Sequence, residues 1–362
     1  MIVVTAWPKR EALLAMARYT PDSLKEFTAA ALTAAGSDPA EAVVVANNLI
    51  GANLRGIDSH GLVRLPVYVE RMRRGVIDTP AHVTIARQMP AAALLDGGNG
   101  WGAVVGRQGM EVAISMAAAN GVGVVTVVNS NHFGYAAHYG EMALARDMIA
   151  IVTTNATPLM IPTGGREVAL GTNPICICAP AGQEPPFVFD GATTVVARGK
   201  ITVAAKKGLK IPTNWGVDAQ GHPTDDPAAV TGLSPLGGYK GYDLAVAVDI
   251  LSGVLGGGPF GQYIGILGAA EGPQRVGHFF LALNIEAFRD IAGFKQDMDK
   301  MLRELRANPA AAGSHGVLIA GDPERSEHAA RRSSGVPVPA EIEADMARLA
   351  DEYKLAMPVP LA

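Results

Sequence analysis

The sequence predicts a mixed α/β protein in which helical segments from both ends of the chain form one unit around a central α/β domain. From about residue 85, short apolar runs rich in β-branched residues alternate with helical patterns, which is typical of an α/β core. Before about residue 80 and after residue 284 the patterns are helical. We therefore predict a discontinuous helical domain of residues 1–84 and 285–362, and an α/β domain of residues 85–284.

Three helices are predicted before residue 80. Asp22-Ser23 is expected to open the first helix, which ends at Gly36, a residue suited to the left-handed conformation after a helix. Asp38-Pro39 supplies an N-cap and a first helical residue for the second helix. A third helix is expected from about residue 66 to 74, with Gly75 after its last residue.

The α/β part carries four predicted strands and three predicted helices. The strands are the apolar runs at residues 122–128, 149–154, 175–179 and 187–189. The helices are expected at residues 106–119, 135–146 and 243–255. The C-terminal part is predicted to be helical at residues 285–306 and 340–354, with a loop between these two segments.

The bulk composition excludes several classes of function. Hydrophobic residues make up 49% of the chain and charged residues 18%, which is incompatible with a disordered protein. A net charge of −4 gives no electrostatic reason to expect nucleic acid or an anionic membrane as a partner. The first residues show no signal pattern, and the apolar stretch Leu244–Leu255 is interrupted by Asp249 and Ser252. We therefore expect a cytoplasmic protein without a membrane span.

The two cysteines, Cys176 and Cys178, alternate within one predicted strand and are expected to point to the same face of it. Same-face neighbours on one strand rarely form a disulfide, and two cysteines make neither a disulfide framework nor a zinc knuckle. We therefore expect buried, unreactive thiols in a reducing compartment.

The first chemically able segment is Asp58-Ser59-His60-Gly61-Leu62-Val63-Arg64. If this turn is helical, His60 and Arg64 are four residues apart and share a face. A titratable imidazole beside a permanent cation is suited to protonating one end of an acid while the cation binds its carboxylate. The alternative is a helix-capping turn with a surface histidine.

Three further sets of polar residues lie at the ends of predicted strands, where loops often carry binding sites. The segment Asn129–Gly134 is typical of a ligand-facing turn, although an ordinary turn with a helix cap has the same residues. The segments Thr154–Ala156 and Leu170–Pro174 are short polar ends of apolar runs, in which the asparagines could simply form turns. Asp190 ends a strand; it is either a helix cap or a carboxylate that orients an imidazole.

The segment Pro235–Tyr242 precedes a predicted helix and combines glycines with Lys240, which predicts a phosphate-binding turn. Gly256–Gly261 matches the dinucleotide pattern G-x-G-x-x-G, but it follows a helix and contains Pro259. A conventional Rossmann fingerprint is therefore absent. His60, His132 and His138 are scattered, so we expect no metal site.

Taken together, these segments resemble the malate/L-lactate dehydrogenase family of the second type, whose members include malate, sulfolactate and ureidoglycolate dehydrogenases, 2,3-diketogulonate reductase and Δ1-piperideine-2-carboxylate reductases. The resemblance extends from about residue 22 to about residue 340. Six matches occur in the same order as in the family: Asp58–Arg64, Ser130–Gly134, Leu170–Pro174, Phe189–Lys200, Pro235–Tyr242 and Gly321–Glu324.

The resemblance implies a non-Rossmann fold and a hydride transfer between NAD or NADP and a small 2-oxo acid. It implies that His60 exchanges the proton, that Ser59 and Asp190 act as its relay partners, and that Arg64 binds the substrate carboxylate. Thr172 and His132 would line the same pocket. The residues implied to hold the cofactor are His132, Phe133, Gly134, Tyr135, Ala136, Ala156, Asp190, Gly191, Ala192, Lys240, Gly241, Ala320, Gly321 and Asp322.

Three positions depart from the family pattern. A bulkier residue is usual where this chain has Gly191, glycine is often found at Asp243, and Gly-Glu is more usual than Gly321-Asp322. Gly191 bears on the size of the substrate pocket, and the other two bear on cofactor preference.

The sequence leaves several alternatives open. A ketimine reductase acting on cyclic imino acids would use the same proton donor and carboxylate clamp, and a catalytically silent binding protein would keep the fold alone. The resemblance further implies a homodimer. A 2′-phosphate would need a nearby cation, for which the candidates are Arg198, Lys200, Lys206 and Lys207.

Overall fold

The structure is a computed structural model that describes residues 16–269 and 271–361. The N-terminal residues in which no signal pattern was found lie outside the described residues. The described chain falls into two compact units. The terminal unit comprises its described residues up to 73 and from 323 onwards, and the middle unit comprises residues 74–322.

The helices, numbered in chain order, are α1 Pro21–Ala34, α2 Pro39–Leu54, α3 Leu65–Arg73, α4 Gly102–Asn120, α5 Ala137–Leu144, α6 Arg198–Lys206, α7 Tyr239–Ser252, α8 Ile291–Arg306, α9 Asp322–Ser334 and α10 Ala340–Tyr353. The strands are β1 Ala17–Tyr19, β2 Thr84–Met89, β3 Ala92–Asp96, β4 Val122–Ser130, β5 Met148–Thr154, β6 Ile175–Ala179, β7 Phe187–Gly191, β8 Gly216–Val217, β9 Gly232–Leu233, β10 Val276–Asn284 and β11 Val336–Val338.

The terminal unit is helical, and its two chain segments are joined by a short antiparallel pair in which β1 meets β11. Helix α1 begins one residue earlier than predicted, because Thr20 is the N-cap and Pro21 takes the first helical position. Helix α2 begins as predicted: the Asp38 carboxylate accepts hydrogen bonds from the amides of Ala40 and Glu41.

The middle unit is built on a seven-stranded sheet in the order β2-β3-β4-β10-β5-β6-β7. Only β3 and β4 are parallel; every other neighbouring pair in this sheet is antiparallel. The α/β class is therefore confirmed, with a mixed central sheet. A two-stranded sheet of β8 and β9 lies outside it and packs on a small apolar cluster that includes Ile201, Val230 and Leu233.

The central strand β10 was not predicted. It is buried on both faces, so it lacks the alternation of a half-buried strand, and Gly277 and His278 interrupt its apolar run. Gly277 is required there, because a Cβ at this position would overlap the carbonyl oxygen of Ser252 in α7.

Helix α9 lies where the sequence analysis predicted a loop, and that prediction is wrong. Its residues are almost all polar or charged, and among the described side chains of this helix Arg331 is the buried one. The helix predicted at residues 285–306 starts at Ile291, after a short 3₁₀ turn, with Asp290 as its N-cap. The helix predicted at residues 243–255 begins at Tyr239 and ends at Ser252.

The predicted burial of both cysteines on one face of a strand is confirmed, whereas their low reactivity and the reducing compartment stay predictions. Strand β6 spans Ile175–Ala179, and the thiols of Cys176 and Cys178 are free, buried and 3.5 Å apart on one face. Gly140 of α5 packs against them, since a Cβ there would lie 2.5 Å from the Cys178 Sγ.

The predicted domain boundaries at residues 84 and 285 stay a prediction. The compact units divide instead after residues 73 and 322, so that α8 belongs to the middle unit. Its Asp299 carboxylate accepts hydrogen bonds from the backbone amides of residues 182, 183 and 184, which fixes α8 to that unit.

Within the described residues no single helix is long and apolar enough to cross a membrane. One pair bent by 59°, Tyr239–Gly256 with Gly261–Ala269, meets that test by length and composition alone.

Candidate active site

The segment with the candidate proton donor forms two consecutive 3₁₀ turns in the terminal unit, Asp58–His60 and Leu62–Arg64, separated by Gly61. It is thus not the α-helical turn that the four-residue spacing suggested. Ser59, instead of a shared helix face, connects the two candidate side chains, His60 and Arg64. Its hydroxyl lies 2.9 Å from the Nδ1 atom of His60, and its carbonyl accepts a 2.8 Å hydrogen bond from the Nε atom of Arg64.

The surroundings of this turn favour the uncharged imidazole. Burial, followed by the neighbouring positive charge of Arg64, lowers the pKa of His60 from 6.5 to about 4. Burial also lowers the pKa of the Arg64 guanidinium and raises that of the Tyr68 hydroxyl, one turn further along α3. His60 is half-buried, which distinguishes it from the surface histidine of the alternative reading.

The other candidate residues lie in the middle unit, and those in the turns next to β4, β5, β6 and β7 lie along one edge of its sheet. Strands β4 and β5 both run antiparallel to β10, so the ends at Ser130 and Thr154 meet the beginning of β10, opposite Val276 and His278. Strand β7 ends on the same edge, since Gly191 pairs with Ile175 at the start of β6. This topology brings together the turns after β4, after β5, before β6 and at the end of β7.

A buried histidine fixes that edge. His278 is fully buried; its Nδ1 atom lies 2.8 Å from the Thr154 hydroxyl and its Nε2 atom 2.8 Å from the Ser130 hydroxyl. Its ring stacks on Phe133, with 4.6 Å between the ring centroids. Burial lowers the pKa of His278 to about 3, so this ring is neutral and serves as a structural cross-link between three strands.

The turn after β4 carries the candidate residues His132 to Ala136. The backbone amide of His132 donates to the Gln274 side chain at 3.0 Å, and the Tyr139 hydroxyl donates to the carbonyl of Phe133. Phe133, Tyr135 and Ala136 are buried. The backbone of this turn is therefore held from several sides.

Asp190 caps a helix. Its carboxylate accepts a 2.8 Å hydrogen bond from the backbone amide of Ala137, the first residue of α5, whose N-cap residue Ala136 makes no side-chain cap bond. This is the structural role that the sequence left as an alternative. The role of Asp190 as a partner of His60 stays a prediction.

Asn173 connects two of the predicted segments. Its side-chain oxygen accepts from the amide of Ala156 at 3.2 Å, and its side-chain nitrogen donates to the carbonyl of Ala245 in α7 at 2.9 Å. The carbonyl of the neighbouring Thr172 accepts two hydrogen bonds from Thr193, one from its backbone amide and one from its hydroxyl. The sequence predicts Asn173 either as part of a polar strand end or as a turn former, and its bond to α7 was not predicted, because a contact with a helix about 70 residues further on leaves no local signal.

The predicted phosphate turn lies at the N-terminus of α7. Gly237 and Gly238 have φ values of +64° and +70°, no heavy atom lies within 4 Å of either Cβ position, and the helix has no side-chain cap. Gly241 is buried, and a Cβ there would overlap the carbonyl of Leu236. Backbone amides at an open, uncapped helix N-terminus favour a phosphate group, so these residues fit a dinucleotide.

A cleft of about 770 Å³ adjoins this turn, a volume in the range of small-molecule sites. It is lined by Ser234, Pro235, Gly237 and Gly238 on one side and by the loop of residues 161–166 on another. Arg166, which the sequence analysis did not single out, lines it as an exposed cation. Among the earlier candidate cations, Arg198 donates to the carbonyl of Val230 at 3.0 Å.

The remaining candidates, Ala320, Gly321 and Asp322, lie beside β7. The Ala320 carbonyl accepts from the amide of Val188 at 3.1 Å. The Asp322 carboxylate pairs with Arg306 at 3.0 Å and accepts from the amide of Ile319. Within the described part of the chain, no group of three histidine, cysteine, aspartate or glutamate side chains could hold a metal ion.

The fold and these segments define the class of protein. A sequence model of the malate/L-lactate dehydrogenase family matches residues 19–347, so the chain belongs to that family. The resemblance deduced from the six segments is thereby confirmed, and with it the fold class.

Individual relatives are similar over nearly the whole chain. Malate dehydrogenase from Pyrococcus abyssi is 40% identical over 331 residues, 89% of this chain and 91% of the relative. L-sulfolactate dehydrogenase from Methanocaldococcus jannaschii is 40% identical over 316 residues, 86% of this chain and 90% of the relative. The crystal structure of malate dehydrogenase from Entamoeba histolytica has a TM-score of 0.90 at 34% identity, covering 95% of this chain and 100% of that one.

Two further relatives bear on the cofactor and on the hydride acceptor. Ureidoglycolate dehydrogenase (NAD(+)) from Escherichia coli K12 is 35% identical over 305 residues, 84% of this chain and 87% of the relative. The crystal structure of Δ1-piperideine-2-carboxylate reductase from Pseudomonas syringae has a TM-score of 0.82 at 26% identity, covering 92% of this chain and 99% of that one. Family and relatives together indicate an oxidoreductase that acts on hydroxy acids.

Proposed function

We propose that this protein is a 2-hydroxy-acid dehydrogenase of the malate, lactate or sulfolactate type, which uses NAD or NADP. The observation that carries the proposal is the turn at residues 58–64, where one serine engages both an imidazole nitrogen and a guanidinium. A proton-exchanging group next to a permanent cation is what a reaction at the carbon beside a carboxylate requires.

In this proposal each residue of the turn has one task. Arg64 binds the substrate carboxylate. Ser59 holds the Nδ1 atom of His60, so the proton is exchanged at Nε2, and the ring orientation is set before the substrate arrives. The lowered pKa of His60 keeps the ring uncharged at neutral pH, which suits it to take the hydroxyl proton during oxidation. A carboxylate bound to Arg64 offsets the cation and makes protonation easier in the complex.

The middle unit supplies the proposed cofactor site. Gly237, Gly238 and Gly241 at the N-terminus of α7 would receive the phosphates, with Lys240 beside them. The turns at the sheet edge, held by His278 and Asn173, would position the nicotinamide. When bound, the nicotinamide supplies or accepts the hydride.

A second candidate is a ketimine reductase for cyclic imino acids. It is favoured by the likeness to the Δ1-piperideine-2-carboxylate reductase structure. A cyclic imine with a carboxylate on the neighbouring carbon presents the same negative charge to Arg64. Its nitrogen needs a proton from His60, as the oxygen of a 2-oxo acid does. The two candidates therefore differ only in the acceptor, a C=O or a C=N bond.

A substrate panel tests the proposal. Malate, lactate and sulfolactate are oxidised with NAD⁺ or NADP⁺, and the corresponding 2-oxo acids and cyclic imino acids are reduced with NADH or NADPH, each followed by nicotinamide absorbance. We expect turnover of at least one 2-hydroxy acid. Turnover of cyclic imino acids alone would favour the second candidate. The absence of turnover with every carboxylate substrate and both cofactors would refute both and support a binding protein.

We further propose that the protein is a cytoplasmic homodimer. Nine large apolar side chains of α7 and the turns around it are exposed: Leu236, Tyr239, Leu244, Ile250, Val254, Leu255, Phe260, Tyr263 and Ile266. At roughly half exposure such side chains offer on the order of 100 Å² each, which together reaches the ~800 Å² per partner of a stable interface. A second copy of the chain is the partner that would cover them.

Light scattering after size-exclusion chromatography tests the homodimer. Ile250→Asp should give a monomer, whereas Met89→Asp, an exposed apolar residue of β2, should leave the dimer intact. A monomeric wild-type protein, or a dimeric Ile250→Asp variant, would contradict this surface as the interface.

A further inference from the structure

The turn that carries His60 is held by an arginine from the distant helix α9. Arg331 is 5% exposed, and its guanidinium binds the Asp58 carboxylate side-on: Nη1 lies 2.6 Å from Oδ1 and Nη2 lies 3.0 Å from Oδ2. Its Nη1 atom also donates to the carbonyl of Asn53 at 2.7 Å, and its Nε atom donates to Glu327 at 2.9 Å. Asp58 is two residues before His60 in the same turn.

The side chain of Asn53 holds the turn at both ends. Its Nδ2 atom donates to the Asp58 carboxylate at 2.6 Å, and its Oδ1 atom accepts from the backbone amide of Leu62 at 2.7 Å. Asn53 is 5% exposed, and a Cβ on Gly61 would overlap its side chain. The residues on either side of His60 are therefore fixed to one buried amide and one buried guanidinium.

We propose that Arg331 and Asn53 are positioning residues that fix the Asp58–Leu62 turn and thereby the direction from which His60 exchanges its proton. The proposal rests on the proposed function of His60. Their hydrogen bonds to the turn go to the Asp58 carboxylate and to the backbone amide of Leu62, so both act on His60 through these groups. Two parallel charge-assisted hydrogen bonds from Arg331 and two hydrogen bonds of the Asn53 side-chain amide hold the turn in this conformation.

Geometry, rather than charge alone, is what the guanidinium contributes. A lysine at position 331 would keep the positive charge, but it has no planar fork to match both oxygens of Asp58. A displacement of the donor by about 1 Å can reduce a rate ~10²-fold, since proton transfer requires a narrow range of distances. We therefore expect Arg331→Lys to lower kcat between about 10-fold and 10²-fold, with an unchanged Kd for the cofactor.

Three variants separate positioning from stability. Arg331→Lys retains charge, and Asp58→Asn/Arg331→Gln removes both charges, so that neither is left buried without its partner. Arg18→Met is the matched control: Arg18 donates to Ser334 and Gly335 at the end of the same helix and does not contact the turn. For each variant kcat, KM, cofactor Kd and Tm are measured.

A second readout does not depend on turnover. The pKa of the His60 imidazole is followed by NMR, with the signal assigned by its loss in His60→Gln. A turn that is no longer fixed exposes the ring to water, so the pKa should rise from about 4 towards 6.5 in Arg331→Lys and in the double variant, and stay unchanged in Arg18→Met.

Wild-type kcat and an unchanged His60 pKa in the folded double variant would overturn the proposal, because the two charges would then merely balance one another. A fall in Tm with kcat and pKa unchanged would also overturn it, in favour of a structural ion pair. If the wild-type protein turns over no carboxylate substrate, the proposed function fails, while the NMR titration still decides whether Arg331 holds the turn.

Discussion

The interaction between Arg64 and His60 gives the most specific prediction. Burial is the larger cause of the lowered pKa of His60, and the Arg64 cation is the second. Arg64→Gln removes only the second cause. The pKa of His60 should therefore rise above about 4 and remain below 6.5, because the ring stays buried.

The expected change of kcat/KM with pH follows from the fraction of His60 that is protonated. With a pKa near 4, about one imidazole in 10³ is protonated at pH 7, and each further unit of pH changes that fraction tenfold. Oxidation requires the neutral ring, so its kcat/KM should be level at neutral pH and fall as the pH drops through about 4. Reduction requires the charged ring, so its kcat/KM should fall as the pH rises above about 4.

The assay measures kcat/KM and kcat as functions of pH, for both oxidation and reduction. The pH dependence of kcat/KM reports the pKa of His60 in the free enzyme, and that of kcat reports its pKa in the enzyme–substrate complex. In Arg64→Gln the inflection should move to higher pH, and the KM of the carboxylate substrate should rise. In the wild type, the inflection in kcat should lie above that in kcat/KM, because the bound carboxylate offsets Arg64. Arg73→Gln is the control, because it removes an exposed cation paired with Glu70 and Glu352. It should change neither the pH of the inflection nor the KM of the carboxylate substrate. An inflection that stays in place or moves to lower pH in Arg64→Gln would refute this reasoning.

Two further predictions concern stability. Gly61→Ala should destabilise the protein by about 1–3 kcal/mol and reduce turnover, because its Cβ overlaps Asn53; urea unfolding measures the first effect, and full stability would contradict it. His278→Leu should cost about 2–4 kcal/mol at pH 7, since the hydroxyls of Ser130 and Thr154 lose their partner. That difference should shrink towards pH 4, because the wild-type unfolded state takes up a proton at a pKa of 6.5 whereas folded His278 does not; a difference that grows on acidification would contradict it.

Local signals predicted much of the fold. Asp38-Pro39 opens α2 as expected, because N-cap chemistry depends on neighbouring residues alone. Strand β6 has the predicted bounds, and the turns after β4 and β5 lie at the ends of their strands. In each case the residues that determine the structure are adjacent in sequence.

Contacts between distant residues explain what was missed. His278 pairs with Ser130 across 148 positions, and Arg331 pairs with Asp58 across 273. Helix α9 presents almost no apolar stripe, since its buried face is a guanidinium held by a carboxylate. Periodicity reports apolar burial, so a helix fixed by an ion pair resembles a loop in the sequence. The cap formed by Asp190 on α5 was one of the two roles predicted for this residue, but the helix that it caps could not be named, because the contact joins separate elements.

The central claim is that His60 exchanges a proton with the substrate while other residues bind the cofactor. The most direct test compares His60→Ala with the wild type, using kcat on the best substrate of the panel and the cofactor Kd from fluorescence titration. We predict that kcat falls by roughly 10²–10⁴ while the cofactor Kd is unchanged, as expected for loss of a general acid–base group. A parallel loss of cofactor binding and turnover, or a kcat equal to that of the wild type, would contradict the claim.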